Sequence, residues 1–213
     1  MTHTRYKLSE AEFFLKGMIE NQAENQAELD VLGYYFSAFL CAFRSVTFIM
    51  QNEFTDSNFE SWYNKKQNIM ENDGKMKLLK ILRNLTLKRH YAKITKRIDV
   101  IAPVGVVSAQ AILPHVTIDG VPLPSAYNDN DNIQHELSHL EQQAQPTIPE
   151  SEITIRWTIN KESFDFDNES KKEIAKIPNI DEILEMDVIT ICKECVSVLS
   201  GIVSECEGMF VMS

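Results

Sequence analysis

The sequence predicts a mainly α-helical bundle with a small β-rich insertion before the last helix. Three observations carry this. Apolar residues recur at helical spacing over Leu32–Met50, Phe59–Met70 and Val188–Phe210. Between about 98 and 168 the pattern turns strand-like, dense in β-branched residues over Ile98–Val107 and strictly alternating over Ile153–Ile159. All seven Pro fall between 103 and 178, which leaves both ends clear of the strongest helix breaker. At 213 residues the chain fits one domain, helical over 8–95 and 183–210 and β-rich over about 98–168. Its 44% hydrophobic content suffices for a core.

The elements follow in order. Ser9 with Glu12 three residues on reads as a capping box opening the first helix, with Phe13, Phe14 and Ile19 on one side. In the second helix Leu32, Tyr35, Phe36, Phe39, Leu40, Phe43, Thr47 and Met50 form a broad stripe, so this helix is expected to pack centrally. Residues 55–58 make a turn and cap cluster before a third stripe of Phe59, Trp62, Tyr63 and Met70. Gly74 breaks that helix, and Met76, Leu79, Ile81 and Leu82 lead a fourth into Arg83. Asp119 and Gly120 supply the positive φ of a hairpin turn between Val116–Ile118 and Val121–Leu123. The last helix, from about Ile183 to Phe210, places Cys192, Cys195 and Cys206 on one stripe with Val188, Leu199 and Ile202.

Val31–Met50 is long enough to span a bilayer. Arg44 lies well inside it and would cost about 2.5–3.5 kcal/mol near a bilayer centre, so a buried bundle helix and no membrane partner are expected. The first residues lack the apolar core of a signal peptide. The four cysteines form no secreted framework, and a reduced, cytoplasmic protein is expected.

The net charge of −10 is unevenly spread. Residues 1–97 carry a net +4 and residues 98–213 a net −14. From Gly74 to Arg97 nine basic residues occur with no acidic one: Lys75, Lys77, Lys80, Arg83, Lys88, Arg89, Lys93, Lys96 and Arg97. An acidic chain with one basic segment suits a local polyanion site, and a solvated helix face accounts for the same pattern.

Three motifs bear on chemistry. Arg83 and His90 stand seven positions apart, so on a continuous helix they share a face within about 20°. Cleaving RNA through its 2′-hydroxyl needs a base, an acid and a cation for the phosphorane. Histidine titrates near neutral pH, arginine forks onto phosphate oxygens, and Asn84 would orient either. The second motif, His135-Glu136-Leu137-Ser138-His139, matches the zinc-peptidase pattern. On a helix, however, Ile133, Leu137, Leu140 and Ala144 take the buried face and turn both histidines to solvent, away from any third ligand. An exposed helix is expected there, with no metal and no cofactor; a zinc peptidase through His135, Glu136 and His139 is the third-ranked reading. Cys192 and Cys195 lie inside an amphipathic helix rather than at a helix start, and are expected to be small buried thiols.

The first hundred residues resemble a prokaryotic HEPN domain. The resemblance rests on Ser9–Phe14 opening the first helix, Tyr35–Val46 in a long second helix, Phe59–Tyr63, and Leu82-Arg83-Asn84 entering the family's motif of Arg, four to six residues, and His. It implies that the late helix completes the bundle, and that the chain is a metal-independent endoribonuclease acting as a homodimer. Many such proteins serve in toxin–antitoxin or phage-defence systems, so an antitoxin or other protein partner is implied as well. Arg83, Asn84 and His90 would be catalytic, and Lys80, Lys88, Arg89 and Lys93 would bind RNA. Lys88 takes the position at which many relatives carry the histidine, and His90 meets the longest allowed spacing. Some HEPN proteins lack catalysis, so the alternative is a non-catalytic module that binds RNA, a nucleotide or a protein partner.

Overall fold

Helix α2 (Leu29–Glu53) organises the bundle because its apolar stripe is wide. Leu32, Phe36, Phe39, Leu40, Phe43, Thr47 and Met50 are all buried, while Tyr34 and Phe48 stay exposed. It packs against α1 (His3–Ala23) and α4 (Gly74–Lys88). By length and composition α2 could also cross a bilayer. Next in order come α3 (Ser57–Asn72) and, after the strands, α5 (Asn168–Ile174), α6 (Ile180–Leu184) and α7 (Val188–Phe210). The fold is mainly α. The computed structural model describes residues 1–23, 29–55, 57–88, 92, 94–102, 105–112, 115–118, 121–122, 152–164 and 168–211; side chains are described at these positions except 23, 29–30, 57, 88, 98–122, 152–155 and 162.

Two compact units divide the chain. The helical unit comprises Met1–Ile94 with Thr158–Ser213, and the other comprises Thr95–Trp157. The strands are β1 (Ile94–Ala102), β2 (Gly105–Ile112), β3 (His115–Ile118), β4 (Val121–Pro122) and β5 (Glu152–Ile159), in sheet order β4-β3-β2-β1-β5. β1 to β4 form an antiparallel meander whose closing pairs are Ala102 with Gly105, Ile112 with His115 and Ile118 with Val121. The expected turn residues Asp119 and Gly120 lie outside the described residues. The strand pattern starts at Ile94, earlier than position 98, because β-branched Ile94 and Thr95 already take the extended backbone.

Two helix starts differ from expectation. α1 begins at His3, so Ser9 lies inside it and caps nothing. The Thr2 hydroxyl accepts from Arg5 N at 3.0 Å, and the Glu53 carboxylate of α2 accepts from His3 N and Thr4 N, each at 2.8 Å. The cap thus comes partly from a residue fifty positions away. α7 begins at Val188 instead of Ile183, because Asp187 is extended and its side chain accepts from Thr190 N at 3.1 Å. The predicted cysteine stripe itself is buried: Val188, Cys192, Cys195, Leu199, Ile202 and Cys206. Phe210 closes it, its ring 5.6 Å from Phe59 and 5.7 Å from Trp62.

The polar edge of α7 ties three helices. Glu207 receives Arg5 of α1, Glu205 receives Lys66 and the Trp62 indole of α3, and Glu194 receives Lys75 of α4. Between α3 and α4 only Asp73 intervenes, and its Oδ1 accepts from Lys75 N at 2.8 Å and Met76 N at 3.0 Å. Gly74 permits that turn to approach the α5–α6 segment: a Cβ here would stand 2.9 Å from both Ile177 Cγ2 and Ile183 Cδ1.

Candidate functional site

Helix α4 positions the candidate residues by its own amphipathy. Leu78, Leu79, Ile81, Leu82 and Leu85 are buried, which turns Lys80 and Leu87 outward and leaves Arg83 and Asn84 half-buried at the boundary. Met76, Lys80 and Arg83 step by four and three, so they share one face. Arg83 Nη1 donates to Asn84 Oδ1 at a long 3.3 Å, which gives the asparagine contact with the guanidinium that an orienting residue needs. Arg83 Nε is buried and has no hydrogen-bond partner among the described residues. A buried donor without an acceptor is costly and rare, so its persistence asks for a functional or structural cause.

A second guanidinium approaches from α2. Arg44 donates through Nη1 to Thr47 Oγ1 at 2.7 Å, and its Cζ lies 4.4 Å from the centre of the Phe48 ring. Its pKa is lowered, first by burial; Tyr63 opposes that shift, the charge of Arg83 adds to it, and Glu71 opposes it again. Arg44 and Arg83 therefore sense each other across the α2–α4 contact, and among the described residues neither makes an ion pair. Two half-buried like charges repel, Glu71 tempers this at Arg44 without forming an ion pair with it, and an anion would relieve the remainder. In the sequence Arg44 stands out only as a charge that opposes a bilayer span. The signal was present there: a lone cation inside a twenty-residue apolar run must be given a reason within the fold.

The nine basic residues separate in the structure. Lys75 is committed to Glu194. Lys96 lies over the Trp157 ring, 5.6 Å from its centre, within the sheet unit. Lys80 is exposed on the Arg83 face. Lys88 ends α4, and its side chain is outside what is described; Arg89, His90 and Lys93 also lie outside the described residues. The structure thus brings Lys80, Arg83 and Asn84 together on one helix and adds Arg44, while His90 is not placed.

The other motifs resolve in part. His135, Glu136 and His139 lie outside the described residues. Among the described residues no group of three His, Cys, Asp or Glu side chains is arranged to hold a metal ion. Cys192, Cys195 and Cys206 are buried and unpaired as disulfides. Burial pushes the Cys192 thiol far up and raises Cys195 strongly, and it pushes Cys206 up to about 12. Such thiols stay protonated and make poor nucleophiles. In comparisons with known proteins, no protein-family model, no curated protein and no solved structure matches the chain.

Proposed function

We propose that this chain is a HEPN-type, metal-independent endoribonuclease that works as a homodimer in a toxin–antitoxin or phage-defence setting. The observation that carries the reading is Arg83: a half-buried guanidinium with an unpartnered Nε and no ion pair among the described residues, inside a segment of nine cations and no acid. Its guanidinium would hold the non-bridging oxygens of the scissile phosphate, with Asn84 fixing its orientation. His90 of one protomer would take the proton from the 2′-hydroxyl as that oxygen attacks phosphorus. The partner subunit's His90 would give a proton to the departing 5′-oxygen, leaving a 2′,3′-cyclic phosphate and a 5′-hydroxyl. One histidine per chain cannot serve as acid and base in the same step, which is why the reading requires two copies. Lys80, Lys88, Arg89 and Lys93 would guide the RNA.

Labelled single-stranded RNA incubated with pure protein in excess EDTA tests this. Cutting is expected with wild type and not with His90→Ala or Arg83→Gln. Equal cutting by His90→Ala would remove the mechanism. Lys88 at the shorter motif spacing favours the second reading, a non-catalytic module binding RNA, a nucleotide or a protein partner. That reading predicts RNA retention without cleavage by wild type.

A further inference from the structure

The helical unit holds a cavity of about 180 Å³ between α2, α3, α4 and α7. Its polar wall is Arg44, Thr47, Gln51, Tyr63, Gln67, Glu71 and Lys80, and the rest of the lining is apolar. Arg44 comes from α2 and Lys80 from α4, distant in sequence but lining one hollow. The neutral groups on this wall are held in place. Gln51 Nε2 donates to the Tyr63 hydroxyl at 2.9 Å and to Thr47 O at 3.0 Å. Gln67 Nε2 donates to Glu71 Oε1 at 2.9 Å, which gives the one carboxylate on the wall a partner of its own. Of the five N–H groups on the Arg44 guanidinium, one is given to Thr47, and the plane is braced on Phe48. Neither Arg44 nor Lys80 makes an ion pair among the described residues. Two cations stand against one carboxylate, Glu71, whose charge also acts on Arg44, so the hollow keeps one net positive charge, and the remaining Arg44 N–H groups and the Lys80 ammonium are the donors of an anion site.

Arg83 fixes which anion. It stands three residues after Lys80 on the same face of α4, a rise of about 4.5 Å along the axis, and its charge already reaches Arg44. The cations therefore run as a track from the cavity to Arg83, the form that successive phosphates of one strand require. We propose that the Arg44–Lys80 cavity is a phosphate subsite, which holds the RNA phosphate next to the one on Arg83. The anion site is argued from Arg44 and Lys80 alone; only the identity of the neighbouring phosphate rests on the ribonuclease reading.

Calorimetric titrations with inorganic phosphate, with 5′-AMP and with a short single-stranded RNA test it. Wild type is expected to bind all three. Lys80→Gln and Arg44→Gln are expected to weaken each by about ten-fold, roughly one charge-assisted contact. Lys65→Gln, an exposed lysine of α3 outside the cavity, should change inorganic phosphate binding little. Arg44→Lys keeps the charge and should recover part of the affinity, which separates loss of the site from loss of fold. Arg83→Gln should weaken RNA more than inorganic phosphate. Binding that ignores both Arg44→Gln and Lys80→Gln, or no binding of any of the three, overturns the subsite and leaves a solvated hollow. Binding of 5′-AMP with RNA excluded also overturns it in favour of a mononucleotide pocket. If wild type cuts no RNA while Arg44 and Lys80 still govern phosphate binding, the ribonuclease reading fails and the subsite stands. If it cuts RNA and neither substitution changes KM, the reverse holds.

Discussion

Arg83 and Gly74 sit nine positions apart on one helix and answer to different forces. Replacing Arg83 with Gln removes a buried Nε that has no acceptor and a charge that depresses Arg44. No ion pair is broken among the described residues, so the stability cost is expected to stay within about 0.5 kcal/mol, read by urea unfolding. RNA binding should nevertheless fall. A loss above roughly 2 kcal/mol would mark Arg83 as a packing residue whose partners matter more than its charge. At Gly74 the constraint is steric. Alanine is the better helix former, yet its Cβ would press Ile177 and Ile183, both buried. Overpacking of this kind costs about 1–3 kcal/mol. Gly201 of α7 is the matched control, exposed and with nothing within 4 Å of a Cβ. There Gly→Ala should stabilise by about 0.4–1 kcal/mol. Opposite signs at the two glycines are the expected result, and stabilisation at both would mean that the α4–α6 contact yields easily.

Helix α1 depends on α2 and α7 for its first turn, and this gives it a pH dependence. Burial pushes the Glu53 carboxyl up, but the Thr4 hydroxyl, Thr4 amide and His3 amide outweigh it and hold the carboxyl below its usual value of 4.5. Glu207 is likewise held down, chiefly by Arg5. A carboxyl depressed in the folded state contributes stability that is complete above its unfolded value and is lost as pH falls through the folded one. The first turn of α1 should therefore loosen below about pH 4.5, seen as faster amide exchange at Tyr6 and its neighbours. Glu53→Gln should cost about 1 kcal/mol at pH 7, and the gap to wild type should close as pH falls. A gap independent of pH would mean that the hydrogen bonds, and not the charge, make the cap. The same helix marks what could be read from sequence. The stripes of α2 and α7 were legible because periodicity is local and Phe36, Phe39 or Leu199 need no distant information to face inward. The α1 cap was not, because Glu53 lies fifty residues from His3 and the nearby Ser9–Glu12 pair imitates a capping box. The α7 start was legible in Asp187, but the apolar spacing of Ile183 and Leu184 masked it. Arg83, Asn84 and Lys80 are legible because one helix carries them; Arg44 is not, because only folding brings α2 beside α4.

The charge asymmetry of the chain becomes specific once the bundle forms. The acidic α7 does not neutralise the basic segment evenly: Glu207, Glu205 and Glu194 are taken by Arg5, Lys66 and Lys75, and only the last belongs to that segment. Lys80 and Arg83 keep their charge uncompensated by any ion pair among the described residues, so the site's field survives in a protein of net charge −10. If Lys80, Arg83, Lys88, Arg89 and Lys93 each meet one phosphate, the slope of log K against log salt for single-stranded RNA is at most about −3.5 per protomer, roughly 0.7 per contact. Salt alone does not distinguish one copy from two, and concentration does. An active centre that needs His90 from both protomers loses activity with the dimer. Well below the dimer Kd, specific activity should fall in proportion to protein concentration, about ten-fold for each ten-fold dilution, by mass action. Light scattering on the same samples should show the mass falling to that of one chain as activity disappears. Activity per chain that stays constant while the protein is monomeric would put acid and base in a single copy, and would remove the reason for two histidines.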